Sequence, residues 1–424
     1  MLNVRAALLV IAGLLLGASV QSKDLLAKDL PDTGSDSAYP KIAPEKGDPR
    51  SAPPMTFFVA KGEPNACGTG CSAWIAAEGR IDGGTPARLR NLLARTGKRK
   101  LPIYFYSPGG SVLPAIEMGH LLRAREMSAG VARTVPQGCD PLQRAEPACE
   151  KLKRSGAELT AQLRTLNASC SSACVYALIG AKDREVAPDA AVGIHGVAIV
   201  RRLIRTYRSG RVETGPTSMT SDPASMRAIN RQLARYAVEM GISAALIDVA
   251  ASIPHEDIRF ITRDEIARFG IDTRESDESR WVLYQFRSGT WAVLKSVIRA
   301  KGADKPGEPK RYRTLQFMIL CGRPGFVRVG IAGTIDPLDA PTSSSIRSSG
   351  SEIALVRTRM QPKAGDAAAG NEIRFAAAQR SFFESATSLD LVETVWSVPK
   401  TPRRVTLSTL GLPAAMEALA QHCQ

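Results

Sequence analysis

The sequence predicts an α/β domain over residues 54–275, followed by a smaller, mostly-β domain over residues 276–424. In the first part, β-forming runs alternate with amphipathic segments of helical period, an order that favours a parallel sheet with crossover helices. In the second part, turn residues separate short β-forming runs, as in a sandwich or barrel, and only LPAAMEALAQHC (412–423) has a helical pattern. A chain of 424 residues is long enough for two such hydrophobic cores.

The N-terminal segment has the composition of a targeting signal and a spacer. Arg5 is followed by an apolar run from Ala6 to Leu16 and then by small residues, which is the pattern of a signal peptide over residues 1–22. The run is shorter than the roughly 20 residues that a membrane span requires, and an uncleaved anchor is the alternative. Residues 23–53 are rich in Pro, Asp, Ser and Lys without periodicity, so we expect a flexible linker in an exported protein.

Within the first domain, each element follows from its own pattern. LPIYFYS (101–107) is dense in β-formers, as expected of a buried parallel strand, and TPARLRNLLAR (85–95) has the period of an amphipathic helix. Residues 136–168 interrupt the alternation, and we interpret them as an insertion with a charged helix over KLKRSGAELTAQL (151–163). The other predicted elements are strands at 55–60, 72–81 and 128–134, a helix at 111–125, a hairpin at 197–215 and a helix at 222–241.

Eight cysteines occur in the chain, and an even number in an exported protein predicts disulfides. Cys170 and Cys174 either form a bridge or are free thiols, in which case Cys174 at a helix start is an alternative nucleophile. The CxxxC spacings and the small number of histidines do not fit zinc, so we expect no metal. The sequence leaves the pairing open, and the simplest pairs of the other six cysteines are Cys67–Cys71, Cys139–Cys149 and Cys321–Cys423.

The chain is basic, with a net charge of +15 and an isoelectric point near 9.6. Its Lys and Arg residues are dispersed and no nucleic-acid-binding module is visible, so we expect no nucleic-acid partner. The simplest interpretation is a soluble basic surface. Outside the cytoplasm, such a surface can also meet anionic lipid or polysaccharide of the cell envelope.

Two short motifs carry groups that suit acyl transfer. The turn SPGGS (107–111) lies between a predicted buried strand and a helix, and its glycines permit a sharp turn whose N–H groups can form half of an oxyanion hole. It is not a phosphate loop, because GxxxxGK[ST] is absent, so we expect no ATP site and no cofactor. Ser172 in CSSACVYA begins an apolar helix, a position that suits an N-cap as well as a nucleophile stabilised by the helix dipole.

A serine nucleophile requires a base that titrates near neutrality, and histidine is the usual choice. The chain has only four histidines. His422 lies in the tail and His120 on a predicted helix. His195, in VGIHG at the end of a strand-like stretch, and His255 are therefore the candidate bases.

Together these motifs resemble the Clp-type serine peptidases of the ClpP/crotonase superfamily. LPIYFYSPGGSVLPAIEMGHLLRAR (101–125) resembles their strand, SPGG turn and helix, and SACVYALIGAKDREVAPDAAVGIHG (172–196) resembles the block from their nucleophile to their histidine. WIAAEGRID (74–82) resembles their opening strand, and IRFITRDEIARFGIDT (258–273) resembles their closing segment. The pieces occur in the family's order, and the CxSAC helix start is like that of exported Clp-like proteins of Gram-negative bacteria.

The resemblance implies a ClpP/crotonase-like ββα superhelix and an acyl-transfer site. Ser172 matches the nucleophile and His195 matches the general base. The N–H groups of Gly109 and Ala173 match the oxyanion donors, with Gly110 in the same turn.

The third triad position is where the sequence departs from the family. The family's Asp aligns with Ile258, so the adjacent Asp257 is the predicted acid. His255, Glu256 and Asp248 are nearby alternatives, and a Ser–His dyad is a further one. The acid mainly orients the histidine and sets its tautomer.

The resemblance implies a periplasmic, ATP-independent serine peptidase that acts on peptides or unfolded proteins. One alternative is a non-catalytic envelope binding or scaffold protein that retains the Clp-like fold. Another is a crotonase-type acyl-CoA enzyme, although CoA is not expected outside the cytoplasm. Clp-type domains form rings through a long helix and an adjacent strand, so residues 197–241 are the candidate surface for a homo-oligomer, with a monomer as the alternative.

Overall fold

The computed structural model describes most of the chain after the predicted linker. The predicted signal peptide and all of the linker up to residue 51 lie outside the described residues. The described stretches are residues 52–68, 70–140, 146–220, 222–272, 276–286, 289–300, 312–334, 341–359, 371–395 and 398–423.

Strands and helices alternate in the N-terminal half. Its strands are β1 (Thr56–Lys61), β2 (Ala73–Glu78), β3 (Ile103–Tyr106), β4 (Ser128–Val131), β5 (Arg133–Pro136), β6 (Leu159–Arg164), β7 (Ser169–Ser171), β8 (Asp183–Glu185), β9 (Ala191–Ile194), β10 (Ile199–Thr206), β11 (Val212–Thr220) and β12 (Arg259–Phe260). Its helices are α1 (Thr85–Thr96), α2 (Val112–Ala124), α3 (Pro147–Lys153), α4 (Ala173–Ile179), α5 (Pro223–Glu239), α6 (Ala245–Ala251) and α7 (Arg263–Phe269).

The larger sheet of this half has seven strands in the order β5-β6-β1-β2-β3-β4-β8. Neighbouring strands from β2 through β3 and β4 to β8 are parallel, whereas β1 is antiparallel to β2. The central strand β3 is buried on both faces: Ile103 and Phe105 pack with residues of α1 and α2, and Tyr104 packs in a second core on the other face. This two-sided burial explains its almost continuous apolar sequence.

A second sheet of three strands, in the order β12-β9-β7, leads directly into α4. Ser107, which follows β3, connects the two sheets. Its N–H donates to the carbonyl of Ser169 and its carbonyl accepts from the N–H of Ser171, each over 3.0 Å. The SPGG turn is therefore held beside the start of α4, where Ser172 lies.

The predicted insertion differs from expectation in its second half. The predicted helix over 151–163 is wrong, because α3 ends at Lys153 and Leu159–Arg164 forms β6, which pairs with β5 and β1. The sequence LTAQLR buries every second side chain, which is the period of a strand and not of a helix. A buried ion pair of 2.7 Å between Lys153 and Glu78 of β2 attaches α3 to the large sheet.

Two predicted elements after His195 are confirmed. Strands β10 and β11 form an antiparallel hairpin. In its turn, the N–H of Tyr207 donates to the carbonyl of Arg211 and the N–H of Gly210 donates to the carbonyl of Tyr207, each over 2.9 Å. Helix α5 covers nearly the whole predicted range of 222–241, and Asp222 caps it by accepting from the N–H of Ser225. The hairpin and helix thus follow directly after the segment that carries His195.

The C-terminal half is rich in sheet and ends in a helix. Its strands are β13 (Ser276–Glu278), β14 (Val282–Gln285), β15 (Trp291–Ala300), β16 (Tyr312–Cys321), β17 (Phe326–Thr334), β18 (Pro341–Ser348), β19 (Ser351–Arg359), β20 (Asn371–Gln379), β21 (Leu389–Val395) and β22 (Val398–Leu407). Its helices are α8 (Arg380–Glu384) and α9 (Leu412–Ala420).

The ten strands form one antiparallel sheet in the order β13-β15-β16-β17-β20-β19-β18-β21-β22, with β14 also paired to β15. A hydrogen bond connects the two ends of the sheet. Trp281, between β13 and β14, donates its indole N–H to the carbonyl of Ser408, just after β22, over 2.8 Å. Helix α9 packs into the core of the sheet, and a Cys321–Cys423 disulfide fixes the segment after it. No helix in the described stretches is long and apolar enough to cross a bilayer.

Candidate active site

Ser172 occupies a sharp turn between β7 and α4. Its backbone has φ 55° and ψ −125°, a conformation that is rare for a residue with a side chain and that persists only when the surroundings enforce it. Two features enforce it: the Ser172 N–H donates to the carbonyl of Gly193 over 2.8 Å, and a Cys170–Cys174 disulfide spans the turn. The turn is therefore fixed on both sides of Ser172.

The Cys170–Cys174 bridge also answers an alternative that the sequence left open. Both cysteines are fully buried, and all eight cysteines of the chain are paired. Cys174 is consequently not a free thiol and is excluded as an alternative nucleophile. The three other pairs that the sequence suggested are confirmed. Four disulfides are consistent with an oxidising environment such as the extracellular space or the periplasm.

The structure brings His195 to Ser172. His195 follows β9, and its Nε2 lies 2.7 Å from Oγ of Ser172, which is a hydrogen bond of ordinary length. When Nε2 accepts this bond, the hydroxyl of Ser172 donates and the imidazole carries its proton on Nδ1. This is the arrangement in which a histidine can remove the proton of a serine nucleophile.

The structure does not bring the predicted acid to His195. Nδ1 of His195 is buried and has no hydrogen-bond partner among the described residues. The side chain of Asp257 is exposed, and its turn is closed by a hydrogen bond from its N–H to the carbonyl of Pro254. The neighbouring Ile258 points inward instead, so that a Cβ at Gly193 would lie 3.0 Å from it. The alternation of the chain into β12 therefore leaves Ile258 half-buried and turns Asp257 outward.

The surroundings of His195 favour its neutral form. Burial lowers the pKa of His195, and positive charge on His255, whose ring centroid is 4.8 Å away, lowers it further. The carbonyl oxygens of His255 and Gly196 and the carboxylate of Glu256 act in the opposite direction. Both carbonyls lie near the ring, but neither completes a hydrogen bond with Nδ1. His195 is thus a base that stays unprotonated to lower pH than an exposed histidine.

Gly109 allows the SPGG turn to lie against the nucleophile. Its φ is 100°, and a Cβ placed on it would lie 2.6 Å from both the Ser171 carbonyl oxygen and the Ser172 Cβ. The same Cβ would lie 2.9 Å from the backbone nitrogen of Ala173. A side chain at this position would therefore overlap the groups that form the candidate site.

One of the predicted oxyanion donors makes a hydrogen bond within its own turn. The N–H of Gly109 already donates to Oγ of the buried Ser107 over 3.1 Å, so the turn itself uses this group. In the described part of the chain, no hydrogen bond uses the N–H of Gly110 or that of Ala173, although Ala173 is fully buried. A buried N–H without a partner is rare and suits an oxygen that arrives with a ligand. Of the three predicted donors, Gly110 and Ala173 are those whose N–H groups make no hydrogen bond to another described residue.

The contacts that two residues make near the site were not predicted from the sequence. The sequence places Ser107 in the turn, and the structure shows in addition that its side chain holds the turn by accepting from the N–H of Gly109. Its position two residues before that glycine is a known turn pattern and could have indicated this contact. The sequence indicates His255 as a candidate base or acid, whereas in the structure its ring packs against that of His195.

Comparison of the chain with protein-family models, with curated proteins and with solved structures found no match. Among the described residues, no group of three or more His, Cys, Asp or Glu side chains could hold a metal ion. The functional argument therefore rests on the geometry of the Ser172–His195 pair and its neighbours.

Proposed function

We propose that this protein is a serine hydrolase that acts by acyl transfer through Ser172, with His195 as general base. The observation that carries the proposal is the 2.7 Å contact between Nε2 of His195 and Oγ of Ser172 at a backbone turn of positive φ. A serine that only caps a helix has no need of this backbone conformation. Capping geometry also involves a hydrogen bond from the helix to the serine side chain, and Ser172 makes no such bond.

The proposed reaction uses the side chains of Ser172 and His195 and two backbone N–H groups. Oγ of Ser172 forms a bond to the substrate carbonyl carbon while its proton passes to Nε2 of His195, and the carbonyl electron pair moves onto oxygen. The N–H groups of Gly110 and Ala173 stabilise that oxyanion. As the intermediate collapses, the leaving group takes the proton from Nε2. Water then attacks the acyl-enzyme by the same route, and Ser172 is regenerated.

The direction of the His195 pKa shift determines the pH range of this reaction. Because the pKa of His195 is lowered, the imidazole remains a neutral base at neutral and mildly acidic pH. Activity is lost only as the pH falls through that lowered pKa. The proposed enzyme is thus suited to a compartment whose pH follows the outside medium.

We further propose a ClpP/crotonase-like fold for the N-terminal half, a periplasmic location and a peptide or unfolded-protein substrate. The parallel strands with crossover helices, the SPGG turn and the order of Ser172 and His195 support the fold assignment. The four disulfides support a location outside the cytoplasm. The substrate class rests on the resemblance alone.

The proposal is tested by hydrolysis of an activated ester and of unfolded casein, both without ATP. We expect the wild type to hydrolyse both and Ser172→Ala to lose at least about a thousandfold in rate. Ser171→Ala, which alters the neighbouring buried serine, is the matched control and should retain activity. A folded wild type that hydrolyses neither substrate would favour the non-catalytic binding or scaffold role instead. The observation that favours this second function is that Nδ1 of His195 has no hydrogen-bond partner among the described residues.

A further inference from the structure

Among the residues that the structure describes, no carboxylate makes a hydrogen bond to Nδ1 of His195, the contact that usually orients a catalytic histidine. In a Ser–His–Asp triad the acid holds the imidazole in one orientation and in one tautomer. Here Nδ1 of His195 has no partner in the described part of the chain, and the nearby Asp257 is exposed. Some other group must hold the ring of His195 facing Ser172, because the ring would otherwise rotate.

The turn between α6 and β12 provides that support through three contacts. The N–H of Gly196, the residue after His195, donates to the carbonyl of Ile253 over 2.9 Å. Nδ1 of His255 lies 3.0 Å from the carbonyl oxygen of Gly196, so an N–H there donates to it. The imidazole of His255 packs against that of His195 at 4.8 Å between ring centroids, with the ring planes tilted by 40°. One residue of the turn thus contacts both the catalytic ring and the backbone beside it.

We propose that His255 is a positioning residue that takes over the orienting role of the missing acid. Its ring limits rotation of the His195 imidazole, and its hydrogen bond to Gly196 fixes the backbone from which that imidazole extends. The inference rests on the proposed function of Ser172 and His195 and adds a residue to it.

The same contact makes the site sensitive to charge at position 255. The charged or titratable side chains that act on His195 are His255 and Glu256, both on the turn between α6 and β12. A cation at position 255 opposes the imidazolium that forms when His195 accepts the proton of Ser172, whereas a carboxylate stabilises it. If His255 only stabilised the fold, a change of charge at position 255 would leave the acidic limb of the profile of labelling rate against pH unchanged.

The test measures the rate at which a fluorophosphonate labels Ser172, between pH 4 and pH 9, in the full-length protein. The variants are His255→Gln, His255→Lys and His255→Glu, and Asp257→Asn serves as an exposed control on the same turn. We expect the acidic limb of His255→Lys to lie at lower pH than that of His255→Gln by about half a pH unit or more, because position 255 packs against His195, with 4.8 Å between the ring centroids in the wild type. The limb of His255→Glu should lie above both, and Asp257→Asn should follow the wild type.

The orienting role is measured in the same series at the pH optimum. His255→Ala should lower the labelling rate about tenfold or more, because a misplaced base loses the near-attack geometry. His255→Gln retains a donor for the Gly196 carbonyl and should lose less. Identical limbs in the Lys, Gln and Glu variants, with wild-type rates in His255→Ala, would overturn the inference about His255. A wild type that is not labelled at any pH would instead overturn the proposed function itself.

Discussion

Replacing Gly109 with alanine, beside a matched control glycine, distinguishes two destabilising effects. One is the steric overlap of a methyl group with the nucleophile turn, and the other is the strain of a positive φ in a residue with a side chain. At Gly109 (φ 100°), a methyl group would lie 2.6 Å from two atoms of the nucleophile turn. Gly68 is the matched control, because its φ is 112° and nothing lies within 4 Å of its Cβ position. Both substitutions incur a backbone cost of about 1–2 kcal/mol. Only Gly109→Ala adds the cost of forcing a methyl group into a packed site, about 1–3 kcal/mol.

We therefore expect the free energy of unfolding to fall by about 2–5 kcal/mol in Gly109→Ala and by about 1–2 kcal/mol in Gly68→Ala. Urea denaturation measures both values. The rate of fluorophosphonate labelling should fall at least about a hundredfold in Gly109→Ala, because displacement of Ser172 by a fraction of an ångström removes it from its base. Gly68→Ala should be labelled like the wild type. Equal destabilisation of the two variants, with wild-type labelling in both, would refute the reasoning.

Three further predictions concern stability and are checked by urea or thermal unfolding. Asp272→Asn should lower the free energy of unfolding by about 3–5 kcal/mol, because it removes the charge partner of the buried Arg263, whose side-chain nitrogen lies 3.1 Å from the Asp272 carboxylate. A loss below about 1 kcal/mol would contradict the importance of this ion pair. Joint replacement of Cys321 and Cys423 by alanine should cost about 4–5 kcal/mol, because their bridge closes a segment of 102 residues, and unchanged stability would contradict it. Gly180→Ala should destabilise by about 1–3 kcal/mol, since its Cβ would lie 2.2 Å from the backbone of α2, whereas Gly83→Ala, in open space, should be neutral.

Much of the N-terminal half was predictable because its local patterns agree with its tertiary environment. Strand β3 has a continuous apolar sequence because both of its faces are buried, and α1 has a helical period because one face packs on the sheet. Ser172 and His195 each lie at the end of an element, a position that also suits a structural role; they could be proposed as nucleophile and base because the blocks that carry them resemble those of Clp-type serine peptidases in the same order. The contact between them depends on how β7 and β9 pair, which only the structure describes.

The errors arise where a pattern has two interpretations. The segment 151–163 is rich in helix-forming residues, but the alternation from Leu159 onward and the free edge of β1 select a strand. The prediction of Gly109 as an oxyanion donor is untested, and Ser107 two residues earlier accepts a hydrogen bond from that N–H. Asp257 is the predicted acid because it adjoins Ile258, the residue that matches the family's Asp. The sequence alone does not show in which direction a side chain of this short turn points, and the structure leaves Asp257 exposed.

The most direct measurement of the central claim is identification by mass spectrometry of the residue that a fluorophosphonate modifies in the folded, oxidised protein. The account predicts a single adduct on Ser172, formed in the wild type and in Ser171→Ala. It predicts no adduct in Ser172→Ala and at least a hundredfold slower labelling in His195→Ala, about the effect of removing a general base. An adduct on another serine, or labelling of Ser172 that is unchanged in His195→Ala, would contradict the claim that the 2.7 Å contact is a nucleophile–base pair.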